Sequence, residues 1–202
     1  MRKLIVLTFL TLDGVMQAPG GQKEDTTGGF EYGGWSFPYF DPFMGETMGE
    51  QMGHDFDLLL GRKTFQIFAG FWPNADPVEE PVAVGLNKAK KYVASRSSLT
   101  MEWENSIRID GDLAEGVRKL KSEDGPELQV HGSGNMIQTL LKHDLVDELW
   151  LKIFPVTIGN GKRLFAEGSI PKSFELTKCA ASPQGVIIAN YRRGGEIKTG
   201  SF

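Results

Sequence analysis

The stretch Leu128-Gln129-Val130-His131-Gly132-Ser133-Gly134-Asn135, continued by a helical repeat to His143 and an apolar run from Glu148 to Phe154, decides the fold. Leu128 to Val130 predicts a strand. Asn135 to His143 predicts a helix, because Met136, Ile137, Leu140 and Leu141 recur at intervals of three and four residues and share one face. Glu148 to Phe154 predicts a further strand. Strand, helix and strand in that order make a β-α-β unit, so its two strands run as a parallel pair. Downstream, Phe174 to Cys179 and Val186 to Arg193 are separated by the turn Ser182-Pro183-Gln184-Gly185, which predicts an antiparallel closing hairpin. A sheet with both kinds of pairing is mixed, and the expected class is α/β.

Working outward, Leu4 to Leu12 is apolar and rich in β-branched residues, as a strand buried on both faces is. Its setting behind Met1-Arg2-Lys3 also has the outline of a secretory leader, but Thr8, Thr11 and the ending Asp13-Gly14 favour the strand. Phe40, Met44, Met48 and Met52 fall at four-residue spacing and predict a helix face. Asp57 to Leu60, Lys91 to Ser95 and Ile107 to Ile109 predict strands. Arg62 to Ala69 predicts a helix burying Phe65 and Phe68, and Leu113, Val117 and Leu120 a helix capped by Asp112. Residues 1–193 are expected to form a single domain and 194–202 a flexible tail.

Ten of the 25 glycines lie between Asp13 and Gly53. The segment Gly14 to Ser36 therefore cannot hold regular structure for long, and a loop of that length in a compact domain is a lid, a binding loop or a plain insertion. The 202 residues carry 22 Lys and Arg against 26 Asp and Glu, a formal charge of −4 without a basic block. Nucleic acid and anionic membrane surfaces are therefore not expected partners. One cysteine, Cys179, forms no internal disulfide and reads as a small buried hydrophobe; three scattered histidines make no short metal motif. A cytoplasmic protein without structural metal is expected. His131 reads as a core histidine with its bonds satisfied.

In open α/β sheets ligands bind beyond the carboxyl ends of parallel strands. After each proposed strand here comes a polar, glycine-bearing or basic turn: Asp13-Gly14, Gly61-Arg62-Lys63-Thr64, Ser95-Arg96-Ser97 and Gly132-Ser133-Gly134-Asn135. The second and fourth open helices, whose free N–H groups favour an anion. Ser95, Arg96 and Ser97 offer a fork for a phosphate. Gly132-Ser133-Gly134 lacks the third glycine of the Rossmann fingerprint, which disfavours a conventional NAD domain. The acids expected near such a site are Asp13, Asp41 and Glu46.

The ordered set Thr11-Leu12-Asp13-Gly14, Gly61-Arg62-Lys63-Thr64-Phe65, Tyr92-Val93-Ala94-Ser95-Arg96, Val130-His131-Gly132-Ser133-Gly134, Leu145-Val146-Asp147-Glu148-Leu149, Pro155-Val156, Gly159-Asn160-Gly161 and Leu164-Phe165 resembles the dihydrofolate reductase superfamily. Within it the chain is similar to stand-alone relatives of the reductase domain of riboflavin-biosynthesis deaminase/reductases. The resemblance implies a three-layer α/β/α dihydrofolate-reductase-like fold with a central mixed sheet, NADPH as hydride donor, and a homodimer. It implies that Ala18, Gly61, Arg62, Lys63, Thr64, Ser95, Arg96, Ser97, Gly132, Ser133, Gly134, Asn135 and Met136 hold the cofactor, the Ser95 to Ser97 turn at its 2′-phosphate. Trp35, Phe65 and Phe68 are the candidate substrate walls, and Asp13 and Asp41 the candidate proton donors. The expected activity is hydride transfer to a C=N or C=O carbon of a small heterocycle, as in reduction of a phosphoribosylamino-uracil. A non-catalytic NADP(H)-binding module is the alternative. The sequence departs from the biosynthetic reductases after Phe65, where their Asp-Asp-Pro and following Arg have no counterpart.

Overall fold

Leu4, Ile5 and Val6 are completely buried, which demands that their strand be covered on both faces and flanked on both edges. It is: β1 (Leu4–Thr11) lies inside an eight-stranded sheet of order β4-β3-β2-β5-β1-β6-β8-β7. The computed structural model describes residues 1–167 and 169–201. The remaining strands are β2 (Phe56–Gly61), β3 (Lys91–Ala94), β4 (Ser106–Ile109), β5 (Glu127–Val130), β6 (Glu148–Phe154), β7 (Phe174–Ala181) and β8 (Ile187–Arg193). The helices are α1 (Pro42–Met52), α2 (Arg62–Phe71), α3 (Val82–Lys88), α4 (Leu113–Ser122) and α5 (Gly134–Lys142). The first six strands pair parallel, whereas β8 joins β6 and β7 antiparallel.

The β-α-β unit of β5, α5 and β6 is parallel as its sequence predicts, but its strands are not neighbours. β1 lies between them, pairing Val6 with Val130 on one side and with Leu149 on the other. The chain's first strand thus zips the two halves together, a pairing across more than 120 residues that no local pattern encodes. The Leu4 to Leu12 run is accordingly a buried strand as far as Thr11, with Leu12 exposed beyond it. Gly194 is tied back to Ser173, and residues 196–201 form neither helix nor strand; Phe202, the last residue of the expected tail, lies outside the described residues.

Strand parity sorts the core, since successive side chains point to opposite faces. Leu4, Val6, Leu128, Val130, Leu149 and Leu151 pack on one face with Val117 and Leu120 of α4 and Met136, Ile137 and Leu140 of α5. On the other face lie two separate clusters. Leu58, Leu60 and Val93 pack with Phe65 of α2 and Leu86 of α3; Phe154 and Ile188 pack with Met44 of α1 and with Val15, Phe30 and Trp35 of the glycine-rich loop. Burying one such side chain contributes ~1.5–3 kcal/mol, so each cluster fixes its helices firmly. Between these two clusters the sheet is left uncovered, and a cleft opens there.

Candidate functional site

The cleft has a volume of about 1860 Å³, beyond the ~300–1,000 Å³ usual for one small ligand. Its rim is built by β3, β2 and β5, consecutive in the sheet and parallel, so their carboxyl ends emerge along one edge. Gly61 to Thr64, Ser95 to Ser97 and Gly132 to Met136 all line it. The three turns predicted to share a ligand thus meet.

Glycine at two of these positions has a steric reason. A Cβ on Gly132 would stand 2.6 Å from Thr64 Oγ1, and one on Gly61 would collide with Ser133 Oγ. The two turns therefore touch, with Gly61 N–H donating to Gly132 O at 3.2 Å and the Thr64 and Ser133 hydroxyls 3.2 Å apart. The Gly132–Ser133 peptide is cis. Helices α1 and α4 have their first turns closed by Asp41 and Asp112. Neither α2 nor α5 has a side-chain cap. Their leading N–H groups and positive dipole ends remain available to an anion. Arg62 and Arg96 are exposed at the same rim and paired with no acid among the described residues. Ser95 and Ser97 form a small hydroxyl turn beside Arg96, Ser95 Oγ donating to Ser97 O at 2.8 Å.

Lys63 differs from its two basic neighbours. Its ammonium lies 3.2 Å from Asp25, which also binds Lys162. Desolvation opposes charge on Asp25, but hydrogen bonds from Lys162, Thr27 and Lys63 hold its carboxyl far below the usual range. This clasp fixes the glycine-rich loop across the cleft mouth. Gln17 stiffens it further, bonding Asp25 O, Thr27 O and Lys162 N, while Trp35 Nε1 donates to Gln17 O. The loop is tied down by its own polar side chains, and Met16 to Thr27 contribute much of the cleft wall, Ala18 among them.

Four expected site residues stand elsewhere. Asp13 accepts from Thr11 Oγ1 at 2.5 Å, from Ile158 N at 3.2 Å and from Gly159 N at 2.8 Å, and it pairs with Arg163. The Thr11 bond, outweighing desolvation, lowers its pKa; it anchors a loop and is not part of the cleft lining. Asp41 caps α1 through Met44 N at 2.9 Å and accepts from Gln184 N at 3.2 Å. Phe65 is 1% exposed and packs on Trp103, because the inward face of α2 meets the sheet there. Trp35 stands edge-on to Phe154 under the loop. Phe68 does line the cleft, joined by Phe40, Met48, Phe71 and Trp72. Cys179 is exposed on edge strand β7 rather than buried.

The sequence reading missed the cleft floor. Leu7, Phe9, His131 and Lys152 point there from β1, the end of β5, and β6. Lys152 is 2% exposed, and burial lowers its pKa to about 7. Nζ donates to Gln51 Oε1 and lies 5.8 Å from the Phe9 ring centre. His131 is not satisfied as expected: Nε2 is buried without a hydrogen-bond partner among the described residues, and desolvation, with Lys152 adding to it, lowers its pKa to about 3. A signal for Lys152 exists in Trp150-Leu151-Lys152-Ile153-Phe154, where parity places the lysine on the face of two aromatic residues. Glu24 also lines the wall, accepting from Gly20 N and Gly21 N, with its pKa raised by burial.

Comparison with known proteins gives the family and the fold. A model described as the RibD C-terminal domain matches residues 2–188. The chain belongs to the RibD C-terminal domain family. Among relatives, it is 29% identical over 196 residues to the uncharacterized protein YyaP of Bacillus subtilis (strain 168), covering 96% of each chain. It is 25% identical over 171 residues to the uncharacterized protein YwjB of the same organism, covering 82% of this chain and 84% of that one. Of solved structures, one from Shewanella sp. PV-4, described in connection with riboflavin biosynthesis, superposes with a TM-score of 0.72 at 22% identity, over 96% of this chain and 99% of its own. A pyrimidine reductase-like protein from Corynebacterium diphtheriae NCTC gives 0.61 at 14%, over 96% and 93%. These likenesses show the fold, that of the dihydrofolate-reductase-like α/β proteins. No helix among the described residues is long and apolar enough to cross a membrane.

Proposed function

We propose that this RibD C-terminal domain protein is an NADPH-dependent reductase acting on a C=N or C=O carbon of a small heterocycle. The observation that carries the reading is the meeting of three phosphate-competent turns, at residues 61, 95 and 132, on one rim. Two uncapped helix N-termini facing a shared space suit a pyrophosphate. Arg96 between two serines suits the additional 2′-phosphate that separates NADPH from NADH. Glycine at 61 and 132, where a Cβ would collide with Ser133 and Thr64 of the facing turn, lets the two turns pack against each other and bring both helix N-termini to one rim. When bound, the cofactor would supply the hydride.

The protein's own part is to hold, orient and dry the reactants. Phe40, Met48, Phe68 and Trp72 offer flat apolar walls for a ring, and the clasped loop closes the mouth. The chain has no counterpart of the Asp-Asp-Pro and Arg that serve the biosynthetic reductases, which favours a substrate without a phosphoribosyl group. Arg96→Ala should weaken NADPH binding by ~1–3 kcal/mol, the scale for hydrogen bonds to charged groups, and leave NADH nearly unaffected. Equal losses for the two cofactors would remove Arg96 from 2′-phosphate recognition. Adding pteridines or simple carbonyl compounds to the NADPH-loaded protein should bleach the near-ultraviolet absorbance of the reduced cofactor. Tight binding without any such consumption would favour the non-catalytic module.

A further inference from the structure

On the cleft floor the buried amine of Lys152 has no acidic partner among the described residues. Of the three buried lysines, Lys121 pairs with Asp147, and Lys91 donates to Asn87 O at 2.6 Å and Glu104 O at 3.1 Å beneath Trp103. Both are structurally satisfied. Lys152 has three donors and one protein acceptor, the amide oxygen of Gln51, and it faces a cleft. On the same floor, one strand beyond β1, His131 Nε2 has no hydrogen-bond partner among the described residues, nor has Gln129 Oε1 two residues before it on β5. Burying an ammonium and two polar atoms short of hydrogen-bond partners costs free energy. Proteins tolerate such costs where a ligand completes the set.

Other charged groups do not neutralise this spot. On α1, Glu50 pairs with half-buried Lys178, and Glu46 is exposed. On β5, Glu127 turns to His54. On β8, Arg192 pairs with Glu175 and Arg193 with Asp147. On β6 itself Glu148 binds Lys3, and β1 has no ionisable side chain. The titratable neighbour that faces Lys152 is His131, which its burial keeps neutral.

We propose that Lys152 and His131 form the anchoring subsite for the substrate, gripping an ionised ring oxygen or carboxylate of a planar compound whose faces rest on the aromatic walls. The proposal rests on the reductase reading of the cleft and narrows its substrate class to anions, or to rings that ionise on binding. A bound anion restores the ammonium's missing partner, so binding at mildly alkaline pH draws a proton onto Lys152.

The test is calorimetric binding to the NADPH-loaded protein of two anions, barbiturate for an ionised ring oxygen and benzoate for a carboxylate, against the neutral analogues uracil and benzamide. At least one anion should bind more tightly than its neutral analogue. Lys152→Met should weaken that anion ~10- to 100-fold, as losing a hydrogen bond to a charged group does, while Lys152→Arg retains part of the affinity. Heats in buffers of different ionisation enthalpy should show proton uptake at pH 8 for the native protein and none for Lys152→Met. Which anion binds tells ring oxygen from carboxylate. The proposal is overturned if neither anion binds the native protein, if the neutral analogues bind as well, or if Lys152→Met binds undiminished. NADPH titration of each variant separates the two layers: native protein that fails to bind NADPH sinks the reductase reading, whereas intact NADPH binding with indifferent anion binding sinks the anchoring subsite alone.

Discussion

Aspartate 13 shows how one carboxylate serves structure in a place where sequence suggests chemistry. Its oxygens close the turn after β1 and fasten the segment 158–163 to it. Asp13→Ala should therefore lower stability by ~1 kcal/mol, the net worth of exposed and part-buried hydrogen bonds, while turnover per folded molecule stays within a few-fold; a loss beyond ~10-fold would return Asp13 to the chemistry. Because its folded pKa lies below the unfolded value, this contribution is present above about pH 4 and fades as pH falls through the folded pKa. Asp41→Ala should cost ~1 kcal/mol as a lost helix cap, again without loss of turnover. Lys152 has the opposite sign. Its folded pKa lies below the unfolded ~10.4, so the unfolded chain binds more protons between about pH 7 and pH 10 and stability rises with pH there. Lys152→Met should raise the unfolding free energy at pH 6, by roughly 2–4 kcal/mol, and the gain should shrink by pH 10. A variant destabilised at pH 6 would show that the ammonium is satisfied where it stands.

Among the elements, the glycine-rich loop depends most on polar ties. Asp25 bridges Lys63 of α2 and Lys162 of the returning chain, so a helix that forms the rim also holds the cleft's cover. On the proposed reading, an incoming pyrophosphate would compete for Lys63 and so couple cofactor entry to loop release. Asp25→Ala should lower global stability by only ~1 kcal/mol, since half-exposed ion pairs contribute little, yet speed amide exchange across residues 17–36 well beyond that of the sheet. Uniform exchange in both proteins would remove Asp25 as the clasp. As a carboxylate held far below its usual pKa, Asp25 contributes its full stabilisation above about pH 4 and loses it as pH falls on through the folded pKa, where the clasp opens.

Across the whole molecule, what is legible follows from range. Helices α4 and α5, strand β6 and the closing hairpin stand where residue periodicity places them, because amphipathic spacing is a local property. The rim was legible too, since glycine and cation clusters after strands report it directly. The insertion of β1 between β5 and β6 was not, being a pairing between distant segments with similar apolar runs. Nor was the inward direction of Phe65, which depends on which face of α2 meets the sheet, or the floor set of His131 and Lys152, where a lysine in an alternating strand reads as solvent-facing until its neighbours on both sides are known. Asp13 and Asp41 misled for a related reason: a carboxylate at a strand or helix end looks alike whether it accepts from the backbone or faces a ligand.

The most direct test is a crystal structure grown with NADPH. The pyrophosphate should lie between the first turns of α2 and α5, in contact with backbone N–H groups of residues 61–64 and 132–135, with the 2′-phosphate against Ser95, Arg96 and Ser97 and the nicotinamide reaching toward Phe9 and Lys152. Cofactor bound on another face, or crystals that take up none at saturating concentration, would contradict the account.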